Sequence, residues 1–309
     1  MTKVDNFIVA GGPMNQKETP HFTREWLISA LRYVRNDFEA TLTNRASDQR
    51  ARARLDAAKA LGLDSIAENV IAAIDQAVID VKALEWPGGL EVRYVALLGA
   101  IKSLASASTG LQPNTPNLPH LNYLAHLMGE AELLAASQYR KKLARKISGI
   151  YVIVDPELTA GRDVRWITEQ AIEGGASAIQ LRNKNPNKGD WIDLALEIEK
   201  ICISSDVIFL INDHCDIAVA SNSQGVHLGQ HDLTLLEARG VLKPWQIIGT
   251  SNALIHEAKT SHANGADYLA VGRIFPTDSK INTRHAGIET LSMLRSIIPM
   301  DGPPILAIG

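Results

Sequence analysis

Val207-Ile208-Phe209-Leu210-Ile211-Asn212-Asp213 decides the fold. Its five leading apolar residues, three of them β-branched, leave neither face of a strand polar, which is the pattern of a parallel strand covered by helices on both sides. The run then ends abruptly in an amide and a carboxylate. Similar short runs lie on either side of it, at 151–155 and 178–182 before it and at 225–229, 247–251, 268–274 and 305–308 after it. Helical stretches separate them. Seven candidate strands joined by helical crossovers predict a β/α barrel or an open α/β sheet. Polar or glycine-bearing clusters follow the strands at 180–184, 212–213, 229–232, 251–252 and 275–280, and in a barrel those strand ends build the active site.

Toward the amino terminus the periodicity changes. Leu27, Ala30, Leu31, Val34 and Phe38 recur at spacings of three and four, predicting an amphipathic helix within 21–43 with Thr23 and Glu25 near its start. Further helical patterns cover 51–61 and 66–84, the latter stopped by Trp86-Pro87-Gly88-Gly89, and a fourth runs to about residue 106. Gly110, Pro113, Pro116 and Pro119 predict a loop over 109–119, after which 121–147 is helical again. The expected organisation is an all-α domain over 1–147 and a β/α domain over 148–309.

Composition narrows the function classes. The 309 residues carry 31 Lys+Arg against 34 Asp+Glu and are 46% hydrophobic, so the chain has ample material for packed cores and is not a disordered tail. Charged or polar residues interrupt every hydrophobic run well before the roughly eighteen residues of a membrane span, and no secretory pattern opens the sequence. Basic residues are dispersed among acids rather than gathered in a stripe, which argues against nucleic acid. Two cysteines, Cys202 and Cys215, fit a reducing compartment, and the expected location is cytoplasmic.

At the strand ends, Arg182, Lys184 and Lys280 supply cations and Thr277 and Ser279 supply hydroxyls, a set suited to phosphate oxygens. Asp213 and Asp232 end the third and fourth predicted strands, neighbours in a sequential barrel, so both carboxylates are placed to share one Mg2+, an ion that takes oxygen ligands and is often completed by substrate phosphates. Each residue also has a plainer reading. Asp213 and Ser251 fit helix caps, Lys184 a solvated charge, His227 a satisfied core histidine, and Gly249 and Gly272 close strand packing.

Taken together, Ala178-Ile179-Gln180-Leu181-Arg182-Asn183-Lys184, Leu210-Ile211-Asn212-Asp213, Gly225-Val226-His227-Leu228-Gly229-Gln230-His231-Asp232, Ile248-Gly249-Thr250-Ser251 and Gly272-Arg273-Ile274-Phe275-Pro276-Thr277-Asp278-Ser279-Lys280 resemble the thiamine-phosphate synthase family over residues 150–309. The resemblance implies a (β/α)8 TIM-type barrel. It implies a transferase that joins 4-amino-5-hydroxymethyl-2-methylpyrimidine diphosphate to hydroxyethylthiazole phosphate, giving thiamine phosphate and pyrophosphate. Gln180, Arg182, Lys184, Asn212, Ser251 and Lys280 would then contact the pyrimidine diphosphate, with Arg182, Lys184, Ser251 and Lys280 acting in catalysis. Asp213 and Asp232 would hold Mg2+, Thr277 and Ser279 the thiazole phosphate, and His227 would line the pyrimidine pocket.

Arg273 stands where the family usually has Pro, Asn252 where Thr is common, and Ser279 where Thr is more frequent. The sequence reaches Gly309 at the close of the seventh predicted strand, so the expected fold is a C-terminally truncated barrel with about seven strands, preceded by the helical domain. Two other readings compete with the synthase: a thiazole tautomerase-like barrel, which would leave the Gln-x-Arg-x-Lys cluster and both aspartates without a diphosphate or magnesium to serve, and a non-catalytic ligand sensor with a helical interaction module. Small-molecule substrates are the expected partners, with a homo-oligomer left open.

Overall fold

A computed structural model describes residues 118–184, 187–275 and 286–309, together with scattered helical positions between Ile28 and Ser103. The predicted helices before residue 107 and most of the predicted 109–119 loop therefore lie outside the described residues. The chain divides into two compact units, and the one that holds the sheet takes in Glu132–Gly309. In the other unit, Arg35 Nε donates to Asp75 Oδ1 at 2.7 Å.

The first continuous element is helix α1 (Leu118–Lys146). Its start corrects the predicted loop, because Leu118 and Pro119 are already helical. Proline in a first helical turn forfeits no intrahelical bond, since those N–H groups have no partner there.

Seven strands follow: β1 (Ile150–Val154), β2 (Ala176–Leu181), β3 (Ile208–Asn212), β4 (Gly225–Leu228), β5 (Ile247–Asn252), β6 (Tyr268–Gly272) and β7 (Ile305–Ile308). They pair in parallel and in chain order, with β1 and β7 as the two edges of the sheet. Helices α2 (Val164–Glu173), α3 (Lys188–Ser204), α4 (Cys215–Ala220), α5 (Leu235–Val241), α6 (Ile255–Ala263) and α7 (Gly287–Ile297) make the crossovers. All seven predicted strands are present, and among the described residues they occupy seven consecutive positions of a β/α barrel.

Local signals explain the helix starts. Asp163 caps α2 by accepting from Arg165 N, Asn187 caps α3 by accepting from Gly189 N, and Thr234 with Glu237 forms a reciprocal capping box on α5.

The period of two along each strand separates two cores. Ile179, Leu181, Phe209, Ile211, Val226, Leu228, Ile248, Leu269 and Val271 face outward and pack with helix residues such as Trp191, Ala195 and Ile198. Ala178, Ile208, Leu210, Ile247 and Tyr268 face the other way and pack with Leu143 and Ile147, at the end of α1 and just beyond it. Among the described residues no crossover helix packs on that inner face, and the end of α1 fills its lower part. Arg140 on α1 adds a polar tie, its Nε donating to Asp267 Oδ1 at 3.1 Å beside the start of β6.

Candidate active site

Above the apolar layer, the same inner-facing positions turn polar toward the carboxyl ends of the strands. Gln180 on β2, Asn212 on β3, His227 on β4 and Ser251 on β5 succeed Ala178, Leu210, Gly225 and Gly249 at steps of two. Together with Arg182 and Asp213 they line one cavity of about 800 Å3.

Arg182 lies one residue past β2, where its Nη1 reaches Asp155 Oδ2 at 2.5 Å. The Asp155 side chain is only 5% exposed and also accepts from Glu157 N at 3.0 Å, so the carboxylate is anchored before it holds the guanidinium. A charge-assisted bond of this kind fixes direction as well as adding attraction.

Farther across the inner face runs a chain of side-chain hydrogen bonds. Gln180 Nε2 donates to the Tyr151 hydroxyl at 2.6 Å, which lies 3.1 Å from the Tyr268 hydroxyl. The latter is 2.9 Å from His227 Nδ1, and His227 Nε2 is 2.8 Å from Ser251 Oγ. Five strands thus contribute to one connected network. Gly249 makes it sterically feasible: it sits between His227 and Tyr268 in the sheet register, and a Cβ there would fall 1.8 Å from Tyr268 Cζ. The close-packing reading of Gly249 is thereby given a partner, and Gly272 has one as well, since its Cβ would approach Ile308 O to 2.8 Å. Burial pushes the pKa of both phenols well above the ordinary tyrosine value, so both hydroxyls keep their protons.

The remaining expected site residues divide into three groups. Asp213 takes a left-handed backbone conformation at φ 63°, which Asp tolerates better than most residues, and its N–H donates to His227 O at 2.8 Å. It is not the cap of α4, a position taken by His214, nor is Ser251 the cap of α6, which is preceded by Leu254. Asp232 accepts from Gly229 N at 2.6 Å and so closes the turn after β4. Its charge also reaches His214: burial first and Lys188 second hold that imidazole's pKa below the usual value, while Asp216 and Asp232 pull the other way. Lys184 is exposed at the end of β2. Thr277, Ser279 and Lys280 lie outside the described residues.

Sequence reasoning missed Asp155, Tyr151, Tyr268 and Arg162. Asp155 was counted as the last residue of a strand, although it occupies the same strand-end place as Asp213. Tyr151 and Tyr268 open the predicted strands 151–155 and 268–274, and only their inward parity would have pointed to the network. Arg162 and Arg273 also line the cavity, so cations surround it from three loops.

The two cysteines are both free and buried, and burial pushes the thiol of Cys202 up to about 12 and that of Cys215 up to about 11. Among the described residues no helix is long and apolar enough to cross a membrane.

A parallel β/α sheet with a polar, arginine-rimmed cavity at its carboxyl end defines a protein of the β/α-barrel class whose cavity has the place and size of a small-molecule site. Comparison with known proteins is more specific. The family model described as thiamine monophosphate synthase matches residues 150–309. The thiamine-phosphate synthase of Coprothermobacter proteolyticus is 40% identical over 170 residues, which is 55% of this chain and 79% of that protein. That of Clostridium tetani is 38% identical over 160 residues, 52% of this chain and 75% of its own length. Among solved structures, thiamine phosphate pyrophosphorylase from Pyrococcus furiosus is 33% identical with a TM-score of 0.48, covering 54% of this chain and 77% of its own. The chain belongs to the thiamine monophosphate synthase family.

Proposed function

We propose that this chain is a transferase of thiamine biosynthesis that condenses the pyrimidine diphosphate with the thiazole phosphate to give thiamine phosphate and pyrophosphate. The observation that carries the reading is the convergence of Gln180, Arg182, Asn212, Asp213, His227 and Ser251 on one cavity at the carboxyl ends of the strands. Small-molecule substrates fit such a cavity. A cytoplasmic location, a homo-oligomer and a helical domain over 1–147, whose stretch from Glu132 onward belongs to the sheet's unit, are part of the same reading.

In the reaction the bond between the pyrimidine methylene and the diphosphate oxygen breaks, and both electrons leave with the diphosphate. The aminopyrimidine ring stabilises the methylene cation that remains. The thiazole nitrogen then donates its lone pair to form the new C–N bond, and because that nitrogen carries no proton, no general base is required. Arg182, Lys184 and Lys280 meet the charge that builds on the leaving group, and Asp155 keeps Arg182 from having to reorganise as it does so. With Gln180 Nε2 committed to Tyr151, its Oε1 is the amide atom suited to the exocyclic amine of the pyrimidine. Thr277 and Ser279 would take the thiazole phosphate.

Asp213 lines the cavity, whereas Asp232 does not and accepts from Gly229 N; as oxygen donors the two would suit Mg2+. Bound there with the substrate's phosphates, the ion would neutralise charge on the departing diphosphate. The test is product analysis after the purified chain is mixed with both substrates and Mg2+. Thiamine phosphate and pyrophosphate in equal amounts, lost on chelation, are expected. Binding of the pyrimidine diphosphate without turnover would replace this reading with that of a ligand sensor.

A further inference from the structure

The network from Gln180 to Ser251 can be followed link by link from its one fixed donor. An amide nitrogen only donates, and a hydroxyl carries one proton to give. The Tyr151 hydroxyl accepts from Gln180 Nε2 and lies 3.1 Å from the Tyr268 hydroxyl; either oxygen can donate that bond, and with Tyr151 as donor its proton goes to Tyr268. Tyr268 in turn has one proton to offer His227 Nδ1 at 2.9 Å. That nitrogen is then the acceptor, which places the imidazole proton on Nε2, facing Ser251 Oγ at 2.8 Å. Ser251 accepts it, so its own proton is left for the cavity that it lines.

We infer that Tyr268, backed by Tyr151, is a positioning residue that holds His227 as the neutral Nε2–H tautomer, so that Ser251 presents its hydroxyl proton to the anionic leaving group. Nothing in this arrangement requires either tyrosine to touch the diphosphate. The reverse polarity would turn the lone pairs of Ser251 toward the same anion, a repulsive arrangement. The burial of both phenols favours the directed form, because neither ionises and each keeps the single proton that the relay needs. Gly249 belongs to the device as the gap through which the Tyr268 ring reaches His227. The role assigned to Ser251 rests on the proposed reaction, whereas the tautomer of His227 does not.

The experiment therefore has two readouts. Spectra of isotope-labelled histidine nitrogens are recorded on the full chain, with the His227 signals assigned by their loss in His227→Gln. The expected wild-type pattern has the proton on Nε2, and Tyr268→Phe, which keeps the ring and removes only the hydroxyl, is expected to abolish that preference. Kinetically, Tyr268→Phe is expected to lower kcat about tenfold with KM for the pyrimidine diphosphate changed less than about twofold, the mark of an interaction made in the transition state. In a Ser251→Ala background the same substitution should have no further effect, because the two residues act through one bond. Tyr151→Phe, one link farther away, should produce a smaller loss of the same kind. A wild-type proton on Nδ1, or an equal kinetic loss in both backgrounds, overturns the inference. If wild type and variants alike make no thiamine phosphate, the proposed reaction fails and the spectra alone decide the relay.

Discussion

The two ends of the sheet's inner face are built from the same strands by opposite means. At the lower end Ala178, Ile208, Leu210 and Ile247 meet Leu143 and Ile147 in a dry layer held by shape and apolar burial. At the upper end Gln180 and Asn212 stand two residues past Ala178 and Leu210, Ser251 stands four past Ile247, and with His227 on β4 they surround a cavity. Tyr268 belongs to both, with its ring in the apolar layer and its hydroxyl in the polar network. The difference teaches that one strand can serve stability at its start and chemistry at its end, because a parallel barrel brings all the carboxyl ends to one side.

The sharpest break of this division is at Arg182. Arg182→Met should lower kcat by about a hundred- to a thousandfold, corresponding to roughly 3–4 kcal/mol of transition-state stabilisation. It should also strand the buried Asp155 carboxylate, at a cost of about 3 kcal/mol in denaturant-measured stability. Adding Asp155→Asn should restore most of the stability and none of the activity. If the double variant regains activity, Arg182 serves only the fold.

At the other end, Leu143→Ala should cost about 3 kcal/mol of stability through the cavity left under the sheet. Below its melting range it should retain near-normal KM and kcat. A large loss of activity in the folded variant would show that the apolar layer also sets the geometry of the site.

Tyr268 and Tyr151 sharpen the boundary between the two layers. Their folded pKa values are raised above the ordinary value of about 10. An acid held neutral by the fold binds its proton more tightly there than in the unfolded chain, so its contribution is complete below pH about 10 and fades as pH rises past it. Ultraviolet titration should show at least two of the six tyrosines, Tyr151 and Tyr268, ionising only as the protein unfolds. Early ionisation of either would place its hydroxyl in contact with solvent.

The smallest effect concerns neither end. Asp163 is exposed, and the Arg165 backbone N–H it accepts holds its pKa below the usual carboxylate value. The stability it adds is present above pH about 4 and is lost as pH falls through its lowered folded value. Asp163→Asn should flatten that acid limb slightly and leave activity unchanged, as measured by urea midpoints across the range.

Much of the fold was legible because burial on both faces writes itself into composition. Runs such as 207–211 and 268–271 admit hardly any polar residue, and all seven strands were found within about two residues of their ends. The start of α1 was misread because a proline that breaks a helix interior is harmless in its first turn. Of the expected site, Gln180, Arg182, Asn212, Asp213, His227 and Ser251 were legible as polar residues where strands end, and the structure gathers them at one cavity. Asp155 escaped notice because its importance lies in a bond to a residue 27 positions away.

The sequence by itself determined the order of strands and helices, the parallel sheet and the collection of charged and hydroxyl-bearing groups at its carboxyl end. Periodicity and strand-end chemistry are local properties, carried by residues close together in the chain. Only the tertiary structure decided that Tyr268 reaches His227 across Gly249, that Asp155 holds Arg182, and that the end of α1 fills the lower part of the inner face. Those pairings depend on register and on which side chain lacks a Cβ at one place in space, and the spacing of residues along a chain does not record either.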